Sequence, residues 1–186
     1  MRISRACDSV RGMKLVIDPG LHGCGATFGI KGVIKRAAYV RGNPSTKAPL
    51  GDLWYDMAEA VLTWDRNHNF EHSTVVDTEL VIECPQVYKA SHQRGGKERT
   101  DPQDIVNLAA CVGAIVAKLT YPQTKVYLPR EWKGQVPKDI CHARAIKALT
   151  PEELVVVDAA CTEAGKLAHN VLDSVAMYLK HVGRVP

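Results

Sequence analysis

The sequence predicts a single α/β domain, a mixed β-sheet covered by helices. Three observations point to it. Residues 13–18, 24–31 and 33–40 are apolar stretches separated by short glycine turns, the pattern of an antiparallel meander. Two more strand-like runs follow, each after a stretch with helical spacing, and such crossovers add parallel strands to a sheet. The 186 residues are 46% apolar and 24% charged, enough for one domain with a full core. Residues 1–12 read as a basic tail and residues 13–183 as the domain, with Met13 an alternative start.

The elements follow in order. "MKLVID" is a buried strand that stops at Asp18, before a Pro-Gly turn. "DLWYDMAEAVLTWDRN" carries apolar residues at helical spacing, with Asp52 as its expected N-cap. "ELVIE" is the fourth strand, ended by Pro85. "DPQDIVNLAACVGAIVAKL" is a helix with Asp101 as N-cap and Pro102 at its first position. Its stripe of Ala, Gly and Cys allows close packing on the sheet or on a second subunit. "KVYLP" is the fifth strand, "REWKGQVPK" a loop and "DICHARAIKAL" a helix. A capping box from Thr150 to Glu153 opens the next helix, and the stretch from Thr162 is expected to be helical through Gly183.

Composition excludes several classes. The longest apolar run, "LAACVGAIVA", has ten residues where a membrane span needs ~20, so no membrane partner is expected. The N-terminal stretch lacks the apolar core of a secretory signal. The six cysteines show no C-x-x-C spacing, which suits a reducing, cytoplasmic setting. His22 near Cys24, and the adjacent Cys141 and His142, fit no structural zinc pattern. The net charge of +4 is uneven: residues 89–99 carry +3 and residues 125–147 carry +4, on an otherwise acidic body. Two basic segments of this kind suit contact with a polyanion.

Three carboxylates end or interrupt apolar elements. Asp18 ends the first strand, Glu83 ends the fourth in "LVIECP", and Asp173 interrupts the apolar face of the last helix in "HNVLDSVAMYL". A carboxylate at such a position costs folding energy unless something pairs with it. If the first and fourth strands are neighbours, Asp18 and Glu83 share one end of the sheet, and the last helix can bring Asp173 across. Clustered carboxylates suit a hard divalent cation, Mg²⁺ with Mn²⁺ as a substitute. Two such ions per site can activate water and stabilise a leaving oxygen in phosphodiester cleavage.

"VIDPGLHGCGATF", "VIECPQVY" and "HNVLDSVAMYL", in this order, resemble the RuvC-type Holliday junction resolvases of the ribonuclease H-like superfamily. The resemblance spans roughly residues 13–183 and looks nearest to the RuvC-like proteins of phages and some bacteria, through "PREWKGQVPK". It implies a five-stranded sheet of order 3-2-1-4-5 with flanking helices. It also implies a homodimer that nicks a four-way DNA junction in pairs, in a bacterial cell or a phage-infected host. Asp18, Glu83 and Asp173 match the family's metal-binding acids, with Asp18 as the bridging ligand. The family's fourth ligand precedes the last acid by one helical turn, and here that position is Asn170, a neutral amide. His169, at i−4 from Asp173, lies on the same helix face and is the preferred substitute, as ligand or proton shuttle.

The basic segments then flank the acids. Arg94, Lys97 and Arg99 follow the Glu83 strand, and Lys133 and Lys138 follow the fifth; all five are expected to bind DNA phosphates. Tyr88 is a candidate for stacking on a base, and Trp132 either stacks or anchors the loop. Three alternatives stay open: a broader branched-DNA nuclease, a ribonuclease H acting on RNA–DNA hybrids, and a junction-binding protein with weakened catalysis. An actin-like phosphotransferase needs two lobes around a nucleotide, and this chain is too short for both, so no nucleotide cofactor is expected.

Overall fold

The computed structural model describes residues 12–42, 49–69, 78–86 and 101–186. Among the described residues five strands form one sheet: β1 (Met13–Asp18), β2 (Gly23–Ile30), β3 (Val33–Arg41), β4 (Thr78–Glu83) and β5 (Gln123–Tyr127). Their order is β3-β2-β1-β4-β5, with β1–β3 antiparallel and β4 and β5 parallel to β1, the arrangement expected. The β2–β3 hairpin turns through Lys31 and Gly32, both at positive φ (51° and 79°), as a two-residue turn with matching twist requires.

The sheet has a core on each side. Leu15, Ile17, Leu80 and Ile82 face α1 (Leu50–Asn69) and α2 (Pro102–Leu119), against Met57, Val61, Cys111 and Ile115. Val16 and Val81 face the other way, toward α5 (Pro151–Ala164) and α6 (Ala168–His181), against Val157, Val175 and Met177. The strands "LVI" are thus buried on both faces, which explains their unbroken apolar run. α2 is the one described helix long and apolar enough to cross a membrane by length and hydropathy (mean 1.2 over 18 residues). The ten-residue run that set the sequence reading understates it. In this fold its Cys111, Ile115 and Leu119 lie in the core.

Several element expectations need correction. α1 begins at Leu50, so Asp52 sits in its first turn rather than capping it. β5 runs from Gln123 to Tyr127, and part of the expected loop is a short helix, α3 (Pro129–Trp132). Pro129 opens it and Glu131 reaches back to accept from the Leu128 N–H at 2.7 Å. After α4 (Lys138–Lys147), the expected long final helix is broken. Gly165 ends α5 at φ 58°, a value glycine adopts freely, and a 3₁₀ turn (Gly165–Leu167) leads into α6. α6 stops at His181, with Gly183 left-handed (φ 75°) and Arg184 N donating to Leu179 O at 2.8 Å, a Schellman closure. The expected caps of α2 and α5 are present: Asp101 Oδ1 accepts from Gln103 N at 2.8 Å, and Thr150 and Glu153 exchange hydrogen bonds.

Candidate active site

Asp18 and Glu83 end adjacent parallel strands, whose last paired residues are Ile17 and Ile82. Strand alternation puts Asp18 on the face of Val16 and Glu83 on that of Val81, the face covered by α6. Open α/β sheets bind ligands at this carboxyl end of neighbouring strands. Asp173 arrives from α6, and a glycine decides how close the helix comes. Gly25 is the register partner of Asp18, and a Cβ placed on it would lie 1.9 Å from the Asn170 carbonyl oxygen. One turn on, Ser174 Oγ meets Thr27 Oγ1 at 2.8 Å. Small residues on β2 therefore seat the first turns of α6 directly on the sheet beside Asp18.

The three carboxylates feel one another. Burial raises the Asp18 carboxyl well above the usual carboxylate range, and the charges of Glu83 and Asp173 raise it further, against Lys138 and Lys133. Glu83 is also raised, by burial first and by Asp173, although Trp132 and Lys133 pull it down. Trp132 is 4% exposed, and its indole Nε1–H donates to Glu83 Oε2 at 2.5 Å. Asp173 differs. Burial pushes it up, but hydrogen bonds from His142 and Lys138 outweigh that and leave it lowered. Lys138 Nζ lies 2.6 Å from Asp173 Oδ2, and His142 Nε2 lies 2.8 Å from Oδ1.

The structure thus brings together Asp18, Glu83, Asp173, Lys133 and Lys138. It does not bring in His169, which is exposed on α6 and has no described bond to Asp173. His142 of α4 bonds that carboxylate instead. Asn170 is half-buried, with its backbone carbonyl against Gly25. Trp132 is an anchor for Glu83 rather than a free stacking group. Tyr88, Arg94, Lys97 and Arg99 lie outside the described residues. Sequence reading missed His142, although Lys138 and His142 are spaced i, i+4 and so share one face of α4, a signal that two hydrogen-bonding groups can meet one partner.

The donor set fits a hard divalent cation: three carboxylates converge, and the mutual repulsion that raises Asp18 is what a cation would relieve. Among the described residues no three His, Cys, Asp or Glu side chains already stand in a ligand cage. Both oxygens of Asp173 are turned to Lys138 and His142, and Glu83 Oε2 to Trp132. Binding would require Asp173 to release at least one of its partners, and Lys138, 47% exposed, is the one free to swing into solvent.

The same architecture occurs in the yeast mitochondrial Holliday junction resolvase Ydc2, at TM-score 0.51 and 12% identity over 94% of this chain and 82% of that one. This chain shares that fold, a five-stranded mixed sheet with flanking helices. Two structures of Thermus thermophilus RuvC also align, each at TM-score 0.49. The one in complex with Holliday junction substrate shares 13% identity over 94% of this chain and 98% of that one. The other shares 15% over 93% and 98%. No family model and no curated protein sequence matches the chain.

Proposed function

We propose that this chain is a structure-selective DNA endonuclease that resolves four-way junctions by divalent-metal-dependent, paired phosphodiester hydrolysis. The observation that carries the proposal is the convergence of Asp18, Glu83 and Asp173 on one sheet face, with Lys133 and Lys138 beside them. Likeness in fold to a Holliday junction resolvase supports it. Mg²⁺ or Mn²⁺, two ions held by Asp18, Glu83 and Asp173, would supply Lewis-acid polarisation of the phosphate and acidification of the attacking water.

The chain's own residues prepare the site. Trp132 fixes the rotation of the Glu83 carboxylate, and His142 fixes that of Asp173. Lys138 bridges the acids and solvent, where it can exchange Asp173 for a DNA phosphate. Lys133 lies within electrostatic reach of Glu83 and Asp18, and its charge would draw the strand toward the acids. Hydrolysis would leave a 5′-phosphate and a 3′-hydroxyl. Paired nicks need two such centres, and α2 offers a face for a second copy. Its Val106 is 59% exposed, and Ala109, Gly113 and Ala117 continue the same exposed stripe.

The test is cutting of an immobile four-way junction with Mg²⁺, beside a linear duplex of the same sequence and an RNA–DNA hybrid. Symmetric cuts in the junction alone support the proposal. Cutting of the hybrid, or of all branched DNA alike, replaces the substrate. Tight junction binding without cutting in either ion would establish a catalytically weakened binding protein, the reading that the neutral Asn170 favours.

A further inference from the structure

Next to Trp132, α3, α4, α6 and the residues that follow α6 enclose a small pocket. Its apolar wall is Trp132, Val136 and Ala176, and its rim carries Lys133, Arg144 and Lys180. These three cations come from three separate segments: the residue after α3, the last turn of α4, and the last turn of α6. Among the described residues no Asp or Glu lines the pocket; Cys141, Val185 and Pro186, the last residue of the sequence, complete its lining. Lys133 is held over the Trp132 ring, with Nζ 5.2 Å from the centroid, so the rim is partly fixed in place. Three cations brought to one hollow repel each other, and an anion between them reverses the sign of that energy.

We propose that this pocket holds a non-scissile backbone phosphate of the DNA strand that is cut. The inference deepens the nuclease reading and rests on it. Size is compatible with the phosphate: the hollow has a volume of about 30 Å³, room for roughly two water-sized groups, which suits phosphate oxygens. Position decides for the cut strand. Lys180 follows Asp173 by seven residues, two helical turns on the same face of α6, with Ala176 between them. That separation is about 10 Å at ~1.5 Å per residue. Along the axis of a duplex it spans at most about three base steps at ~3.4 Å each, and fewer phosphates of one strand, whose backbone winds around that axis. Trp132 links the two places directly, since its ring forms the pocket wall while its Nε1 holds Glu83. A strand running along α6 would meet the acids at one phosphate and the basic hollow a few phosphates on. The pocket would then fix which bond faces the acids.

Arg144→Gln with Lys180→Gln tests this, because neither residue touches the acids. Binding of a four-way junction is measured over a series of salt concentrations. The double variant is expected to bind roughly tenfold more weakly at low salt, with the slope of log K against log[salt] shallower by ~0.9, one phosphate contact. In parallel, inorganic phosphate is titrated into the protein and the Trp132 indole N–H followed by NMR. The resonance is expected to move in the wild type and to stay in the double variant. Wild-type binding with an unchanged slope in the variant overturns the pocket and leaves the nuclease reading standing. A phosphate-dependent shift with no change in DNA affinity marks an adventitious ion only, and also overturns it. Failure of the wild type to bind any DNA removes both.

Discussion

Replacing Gly25 by alanine should damage cutting and stability together, because one methyl group would stand where α6 meets the sheet. The added Cβ would lie 1.9 Å from the Asn170 carbonyl oxygen and 2.5 Å from its carbon, with Ser174 Oγ at 3.2 Å. Ordinary contact begins near 3.4 Å, so the backbone of α6 must retreat by about 1.5 Å. A helix backbone cannot rotate away as a long side chain can, so the cost should fall at the upper end for overpacking, ~3 kcal/mol. At a urea slope of ~2–3 kcal/mol/M, the unfolding midpoint drops by about 1 M. Asp173 lies one turn beyond Asn170 on the same helix, so the retreat pulls it from Asp18. A misplacement of about 1 Å near reacting groups costs ~100-fold in rate. Urea unfolding and single-turnover junction nicking measure the two effects. Gly51→Ala is the control: nothing lies within 4 Å of its added Cβ, and it should be neutral or stabilising by up to ~1 kcal/mol. Wild-type stability and nicking in Gly25→Ala would refute the claim that this glycine sets the height of α6.

Further predictions concern the pins around the site. Glu153 is buried, and although burial raises its carboxyl, bonds from Arg184, Thr150 N and Ile34 N bring it down to about 2. A folded-state value below the unfolded one means this stabilisation is complete above the ordinary glutamate range and is lost as pH falls toward 2. Glu153→Gln should destabilise by ~2 kcal/mol, because Arg184 loses its counter-charge and keeps only the carbonyls of Gly32 and Ala148, and should flatten acid unfolding across that window. Trp132→Phe removes the donor to Glu83 and should slow nicking ~10–100-fold. With that donor gone the Glu83 carboxyl rises further, so the acid limb of the pH–rate profile should move to higher pH, which a packing defect alone would not do. Val106→Asp on the exposed face of α2 should give a monomer by sedimentation at micromolar concentration and abolish paired nicking; a dimer that still forms would place the interface elsewhere.

Most of the sheet was legible because its signals are local. The "LVI" runs of β1 and β4 are buried on both faces and read as unbroken apolar runs, while the Lys31–Gly32 turn and the Asp101 and Thr150 caps carry their own chemistry. The acids were legible for a related reason: each ends or interrupts an apolar pattern, where only a tertiary partner explains it. What sequence reading missed depends on contacts between distant segments. His142 meets Asp173 across 31 residues, Trp132 meets Glu83 across 49, and neither pairing follows from spacing alone. The break at Gly165 was hidden because the surrounding residues, Ala, Lys and Leu, favour helix and outweigh one glycine in a periodic pattern. His169 looked suitable on helix geometry, but its side chain is exposed, while Lys138 and His142 of α4 are the groups that reach Asp173.

The central claim is that Asp18 stands at the heart of a metal-dependent cutting centre. The most direct measurement compares the wild type with Asp18→Asn on an immobile four-way junction, following both Mn²⁺-dependent nicking and binding by gel shift. The account predicts that Asp18→Asn binds the junction as the wild type does and does not cut it. Metal-dependent cutting by Asp18→Asn at the wild-type rate would contradict it and remove Asp18 from the centre.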